Sequence, residues 1–463
     1  MYVLKIQYST RLRRCPIGAA MRTDHLPIPA ARPSRAWPVV AGGVVALAVA
    51  MGVGRFAFTP LLPLMLRDGT LSAAAGAEWA AANYGGYLAG ALTASWFSGD
   101  PRRGLRSALV GVALTTLAVA WIGGESAALV GAALRAAAGV FSAWALVCAS
   151  GWCLAELARR GAPRLGAWIY TGVGLGIALA GALAWLGGRQ PAGCLWLELG
   201  LIASAGAAFV ALALRGRSAA PASAAARATS PAPPPGAGRG QHLALVLCYG
   251  AFGFGYIVPA TFLPAMARQQ VSDPLVFGLT WPLFGLAAAL SVAAAARWLS
   301  DWPRRRVWAL AQGTMALGTA LPLASQALWA LAASAVLVGG TFMVATMAGL
   351  QLAREQRPAD PTPLLARMTV AFAAGQIAGP LLVRALGPGG WAGLDALAWA
   401  NAAATVLLVL TAAWLWRDVQ PPAHLRSGTS GSAPGVPAAA RARPMASTRS
   451  HSPGPCTPSM LRR

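Results

Sequence analysis

The chain has 463 residues, of which 57% are hydrophobic and 11% charged, with a mean hydropathy of +0.56 and a formal net charge of +24. So apolar a composition excludes a water-soluble globular protein and points to a bilayer. The positive charge is spread over loops and tails, which excludes a nucleic-acid surface as its explanation.

Residues 1–36 read as a basic tail with no short apolar core ending in a cleavage site, so no removable signal peptide is expected, and Met1 and Met21 stand as alternative starts. A membrane helix needs about 20 mostly apolar residues, and twelve such stretches are predicted. Six lie in residues 37–215: Trp37 to Met65, Trp79 to Phe97, Leu105 to Gly123, Ala127 to Leu154, Leu165 to Gly187 and Cys194 to Leu214. Residues 216–241, rich in Ala, Pro and Gly, read as a cytoplasmic linker. Six more follow in residues 242–416: Leu243 to Met266, Leu275 to Leu299, Val307 to Leu323, Ala327 to Leu352, Leu364 to Leu386 and Leu394 to Trp416. Only Pro322 and Gln326 mark the boundary between the ninth and tenth. Residues 417–463 read as a disordered basic tail. The expected fold is therefore an all-α membrane protein of twelve spans.

Lys and Arg counted in alternate loops number seventeen on one side and four (Arg67, Arg189, Arg268, Arg384) on the other, and each tail adds seven to the rich side. The positive-inside rule then places both termini in the cytoplasm. Lys5 is the only lysine, a bias that suggests a GC-rich bacterial genome and hence the inner membrane. Cys15, Cys148, Cys153, Cys194, Cys248 and Cys456 show no metal-binding or disulfide spacing.

Gly52 to Arg67 has a degraded copy 201 residues later, in which Gly52, Gly54, Leu62, Pro63, Met65 and Arg67 recur as Gly253, Gly255, Leu263, Pro264, Met266 and Arg268. Trp96, Ser98, Pro101, Arg102 and Arg103 recur at an offset of 202, and Gly139, Phe141 and Gly174 recur at 201. Six spans separate the copies, so both have the same orientation and form two pseudo-symmetric six-helix bundles about an axis along the membrane normal. Three stretches, GVGRFAFTPLLPLM (residues 52–65), ANYGGYLAGAL (82–92) and YGAFGFGYIVPATFLPAMAR (249–268), resemble the major facilitator superfamily and, within it, the YbfB/YjiJ branch. The resemblance covers Trp37 to Trp416 and implies an alternating-access carrier with a central cavity.

The loop from Ser98 to Arg106 is similar to the superfamily's signature between the second and third helices, although Pro101 and Leu105 depart from it. The resemblance implies a cytoplasmic gate of Asp100, Arg103 and Arg106, answered by Asp301 and Arg305; a purely topogenic basic loop is the competing reading. Arg135 followed by Gly139 resembles the superfamily's Arg-x-x-x-Gly element, which implies proton coupling, against packing or a structural charge pair.

Arginine at a helix centre costs about 2.5 to 3.5 kcal/mol and is kept where it is paired, hydrated or useful. Arg55 lies about 24 Å along the first helix and Arg135 about 13 Å into the fourth. Prolines beside Arg55 predict a bent backbone with freed hydrogen-bonding groups, which suits an anionic ligand. An ion pair with Glu78, or snorkelling to the headgroups, is the alternative. Asn83, Tyr84 and Tyr87 on the second helix, Gln376 on the eleventh, and Tyr256, which matches Arg55 in the repeat, complete the candidate substrate site. Gly-Val-Gly-Arg-Phe-Ala at residues 52–57 formally fits a dinucleotide fingerprint but has no strand before it, and there is no Walker loop, so no cofactor, metal or ATP is expected. The four His residues assemble no catalytic cluster. The expected function is secondary transport of a small solute, an organic anion by preference, with proton coupling open, by a monomer. An efflux carrier for an amphipathic compound and a non-transporting membrane sensor or assembly protein are the alternatives.

Overall fold

The computed structural model describes residues 36–97, 100–124, 127–215, 239–270, 278–357, 362–387 and 391–417. The tails, most of the 216–241 linker, and the question of Met1 against Met21 lie outside them. Every long element among the described residues is helical.

The first rod, Trp37–Arg67, is continuous but changes winding twice. It is α-helical as α1 (Trp37–Leu47), a π-helix over Ala48–Phe56, and α-helical again as α2 (Phe58–Arg67). Then come α3 (Ala73–Phe97), α4 (Pro101–Val119), α5 (Ala127–Arg159), a 3-10 turn over Pro163–Tyr170 leading into α6 (Thr171–Leu186), and α7 (Ala192–Ala213). The second set is α8 (Arg239–Gln270), α9 (Thr280–Trp298), α10 (Arg304–Ala324), α11 (Leu328–Gln356), α12 (Thr362–Leu386) and α13 (Ala396–Trp416).

These make six rods in each half, of which ten are long and apolar enough to cross a membrane. The exceptions are α3 and α4. Arg102, Arg103 and Arg106 crowd the first turns of the 19-residue α4, and Gly, Asn and Tyr dilute α3. Several rods outrun the expected stretches. Helix α3 begins six residues before Trp79 and α5 runs to Arg159, because alanine, the best helix former, carries the winding past the apolar segment. The break between α10 and α11 falls at residues 325–327, where the Ser325 Oγ accepts from the backbone N–H of Ala327.

Without a hydrophobic drive between helices in lipid, packing rests on small residues that let backbones meet. A Cβ on Gly52 would lie 2.3 Å from the Cα of Gly176, so the π-helix and α6 touch through bare main chain. Between the halves the tightest seam is α6 on α9, where a Cβ on Gly174 would lie 2.3 Å from the backbone N of Ala289 and one on Gly285 2.3 Å from that of Ala178. Toward the arginine-rich end these helices part, and a cavity of about 270 Å³ opens between Gly166, Ala167 and Tyr170 on one side and Ala295, Ala296 and Gln351 on the other.

Candidate functional site

The centre of the molecule is organised by the π-helix. Continued in an i to i+5 register, the carbonyl of Arg55 would meet Pro60, which has no N–H to give. The fourth rod supplies the missing donor: Arg135 Nη2 donates to Arg55 O at 2.9 Å and Nη1 to Gly54 O at 3.0 Å. The Arg135 side chain is 2% exposed, lies against the rings of Phe58 and Trp196, and has its own carbonyl bound by Asn83 Nδ2 at 2.9 Å. Asn83 thus ties α3 to α5 beside Gly139, where a Cβ would lie 2.3 Å from the Asn83 carbonyl oxygen.

With its main chain held this way, Arg55 turns its guanidinium to the interface between the halves. It is 4% exposed and sits 3.8 Å over the Tyr87 ring, with Tyr84 at 5.6 Å and Phe56 at 5.4 Å. Such faces attract a cation strongly when water is excluded. Arg55 Nη2 donates to Gln376 Oε1 of α12 at 2.7 Å, and Gln376 Nε2 in turn donates to the Tyr256 hydroxyl of α8. One polar chain therefore runs from the first half to the second. Arg55 Nε and Nη1 remain buried without a hydrogen-bond partner. Among the described residues neither Arg55 nor Arg135 pairs with a carboxylate, and Glu78, the alternative partner for Arg55, is exposed.

The second half walls the site with rings. Tyr256 stacks on Phe342 and Phe372 at 5.5 and 5.6 Å, and Phe342 also meets Phe56 edge-on across the interface at 5.9 Å. Tyr170, which lines the cavity at the arginine-rich end, hydrogen-bonds Ser150 at 3.1 Å.

The residues expected at the gate make contacts local to their own half. Asp100 caps α4, accepting from the backbone N–H groups of Arg102 and Arg103, and pairs with the Arg103 side chain at 3.3 Å within the same helix turn, with both side chains exposed. Arg106 has a buried Nε without a partner. Asp301 lines the 270 Å³ cavity, whereas Arg305 donates to the carbonyls of Leu415 and Trp414 at the end of α13. Glu156, near the end of α5 and not among the residues singled out from the sequence, is the hub of an ion-pair cluster, 2.7 Å from Arg160, 3.9 Å from Arg102 and also paired with Arg159. Its i+3 and i+4 spacing to the two arginines was the available signal.

Solved structures with this architecture include the D-xylose-proton symporter, with a TM-score of 0.61 at 14% identity over 82% of this chain and 97% of that one. Another is the nucleoside transporter NupG in a mutant form, with a TM-score of 0.57 at 12% identity over 81% and 98%. At such identities the likeness establishes the fold. No protein of curated function matches the sequence. The family model described as "Uncharacterised MFS-type transporter YbfB" matches residues 47–415. The chain, a multi-pass membrane protein built as a secondary transporter, belongs to this family of the major facilitator superfamily.

Proposed function

We propose that this transporter carries a small organic anion through alternating access, with Arg55 as the group that binds the anionic end. The supporting observation is the Arg55 guanidinium itself, buried between the halves with two nitrogens unpartnered and, among the described residues, no carboxylate paired with it. A carboxylate or phosphate oxygen entering there completes charge-assisted hydrogen bonds that Gln376, a neutral stand-in, makes only in part. Tyr84 and Tyr87 cradle the cation, Tyr256 and Gln376 offer hydrogen bonds from the second half, and the rings of Phe342 and Phe372 suit an apolar body on the same solute.

Arg135 spends both of its bound nitrogens on main-chain carbonyls, which favours a positioning role over proton coupling. The arginine-rich end faces the cytoplasm on the positive-inside rule, with the tails and the linker on that side and the chain in a bacterial inner membrane. Asp100, Arg103, Arg106, Asp301 and Arg305 then line the cytoplasmic rim, where changes of pairing accompany closure. The aromatic wall of the second half supports a second reading, export of an amphipathic compound.

Uptake and counterflow of labelled mono- and dicarboxylates and phosphate esters in proteoliposomes test the assignment, comparing wild type with Arg55→Ala and Arg55→Lys. Saturable flux of at least one anion, lost in Arg55→Ala and partly kept in Arg55→Lys, is expected. Flux of neutral or cationic amphiphiles alone, unchanged in Arg55→Ala, would overturn it.

A further inference from the structure

The second half holds a column of aromatic rings. It runs from Trp281, in the first turn of α9, through Phe284, Phe342 of α11, Tyr256 of α8 and Phe372 of α12 to Tyr249, with successive centroids 5.2 to 5.6 Å apart. Trp281 and Phe284 lie within 8° of parallel, Phe342 and Tyr256 within 12°, and Tyr256 and Phe372 within 4°. Offset stacking of this kind is what ring quadrupoles favour.

Helix packing alone does not call for such a column. At an offset of 201 the same six positions are Ala80, Asn83, Phe141, Arg55, Thr171 and Ala48, so the first half, built on the same scaffold, keeps one ring of the six. That ring, Phe141, packs edge-on against Trp144 at 5.7 Å.

The column passes beside the charged group. Phe342 meets Phe56 of the first half edge-on at 5.9 Å, and Phe56 lies 5.4 Å from the Arg55 guanidinium carbon. Tyr256, the next ring along, accepts from Gln376, which itself binds Arg55.

We propose that the solute is an aromatic carboxylate, whose carboxylate binds Arg55 while its ring replaces the edge of Phe56 against Phe342 as the halves move. The inference rests on the anion reading above and narrows it to one class of compound. Phe56 and Phe342 belong to different halves, so alternating access works their contact open and shut. A ring joined to the carboxylate directly, or through one carbon, stays within the span from the guanidinium to Phe342. It gains face and edge attraction from Phe342 and Tyr256 in addition to burial, whereas a saturated body of the same size gains burial alone.

The test uses the full chain in a neutral maltoside detergent and reads binding by titration calorimetry, because acids of this size also cross lipid unaided. The probes are phenylacetate, cyclohexylacetate, hexanoate and the neutral phenylacetamide, at neutral pH. Phenylacetate is expected to bind about tenfold more tightly than cyclohexylacetate or hexanoate, and phenylacetamide to show no saturable binding. Phe342→Leu is expected to remove most of the preference for phenylacetate while leaving cyclohexylacetate binding little changed. The wild-type ranking decides alone if Phe342→Leu is not monodisperse. Equal affinity for the three carboxylates, abolished in Arg55→Ala, would overturn the aromatic assignment and leave the anion site standing. Phenylacetamide binding as tight as that of phenylacetate, unchanged in Arg55→Ala, would overturn both. A preference undiminished in Phe342→Leu, or no binding of any of the three carboxylates, would also overturn the proposal.

Discussion

At the level of the π-helix the first half presents two guanidiniums, Arg55 and Arg135, whereas the matching positions 201 residues on are Tyr256 and Val336. Arg135 is buried and braces the main chain, while Val336 is 43% exposed on the outside of its helix. The first rod is wound partly as a π-helix, but its counterpart α8 is α-helical from Arg239 to Gln270. Duplicated scaffolds thus diverged into a charged half and a neutral aromatic half that meet at Gln376. On the proposed reading, charge is recognised from one side and shape from the other, a division suited to a solute with one polar end.

If the division holds, Arg55→Ala has the largest effect, a loss of roughly 100-fold in anion flux, since removing a buried hydrogen-bonded charge costs several kcal/mol. The mirror change Tyr256→Ala should cost less, and the opposite ranking in the same flux assay would break the comparison. Gly285→Val comes next. Its side chain enters the backbone of α6, so flux is expected to fall roughly 30-fold while protein remains in the membrane, as immunoblots of membrane fractions would show. Arg135→Gln uncaps the Gly54 and Arg55 carbonyls; flux roughly tenfold lower is expected, against less than about twofold for Val336→Gln. Tyr256→Phe, which removes only the hydroxyl bound to Gln376, should raise the apparent KM about fivefold with little change in maximal rate. Smallest is Asp100→Ala, where loss of the cap lowers stability by about 1 kcal/mol in thermal unfolding.

Much of the architecture was legible because a bilayer imposes it. Apolar stretches have to be helical, arginines mark one end, and an internal repeat declares two halves. Arg55 and Arg135 stood out for the same reason, as charges where hydrocarbon tolerates few. The freed backbone near Arg55 was foreseeable from Pro60 and Pro63, but the π winding was not, since it depends on donors that Arg135 brings from 80 residues away. The contact of Arg55 with Gln376 spans 321 residues and two halves, and no helical periodicity relates positions on different rods. Asp100 illustrates the opposite difficulty: an acid just before a helix beginning with proline is also an ordinary cap, and that local role is the one its geometry displays.

The Arg55 guanidinium at the interface between the halves has an electrical consequence. Carrying a unit charge across the whole membrane field is worth about 2.3 kcal/mol per 100 mV. Reorientation shifts the aqueous opening from one side of Arg55 to the other, and with it the share of the voltage drop that this residue feels. An inside-negative potential therefore draws the unloaded protein toward its cytoplasm-open form. With the monovalent anionic passenger proposed above that pull would be cancelled, so the energised cell would act on the empty leg of the cycle and leave the loaded leg nearly free of voltage.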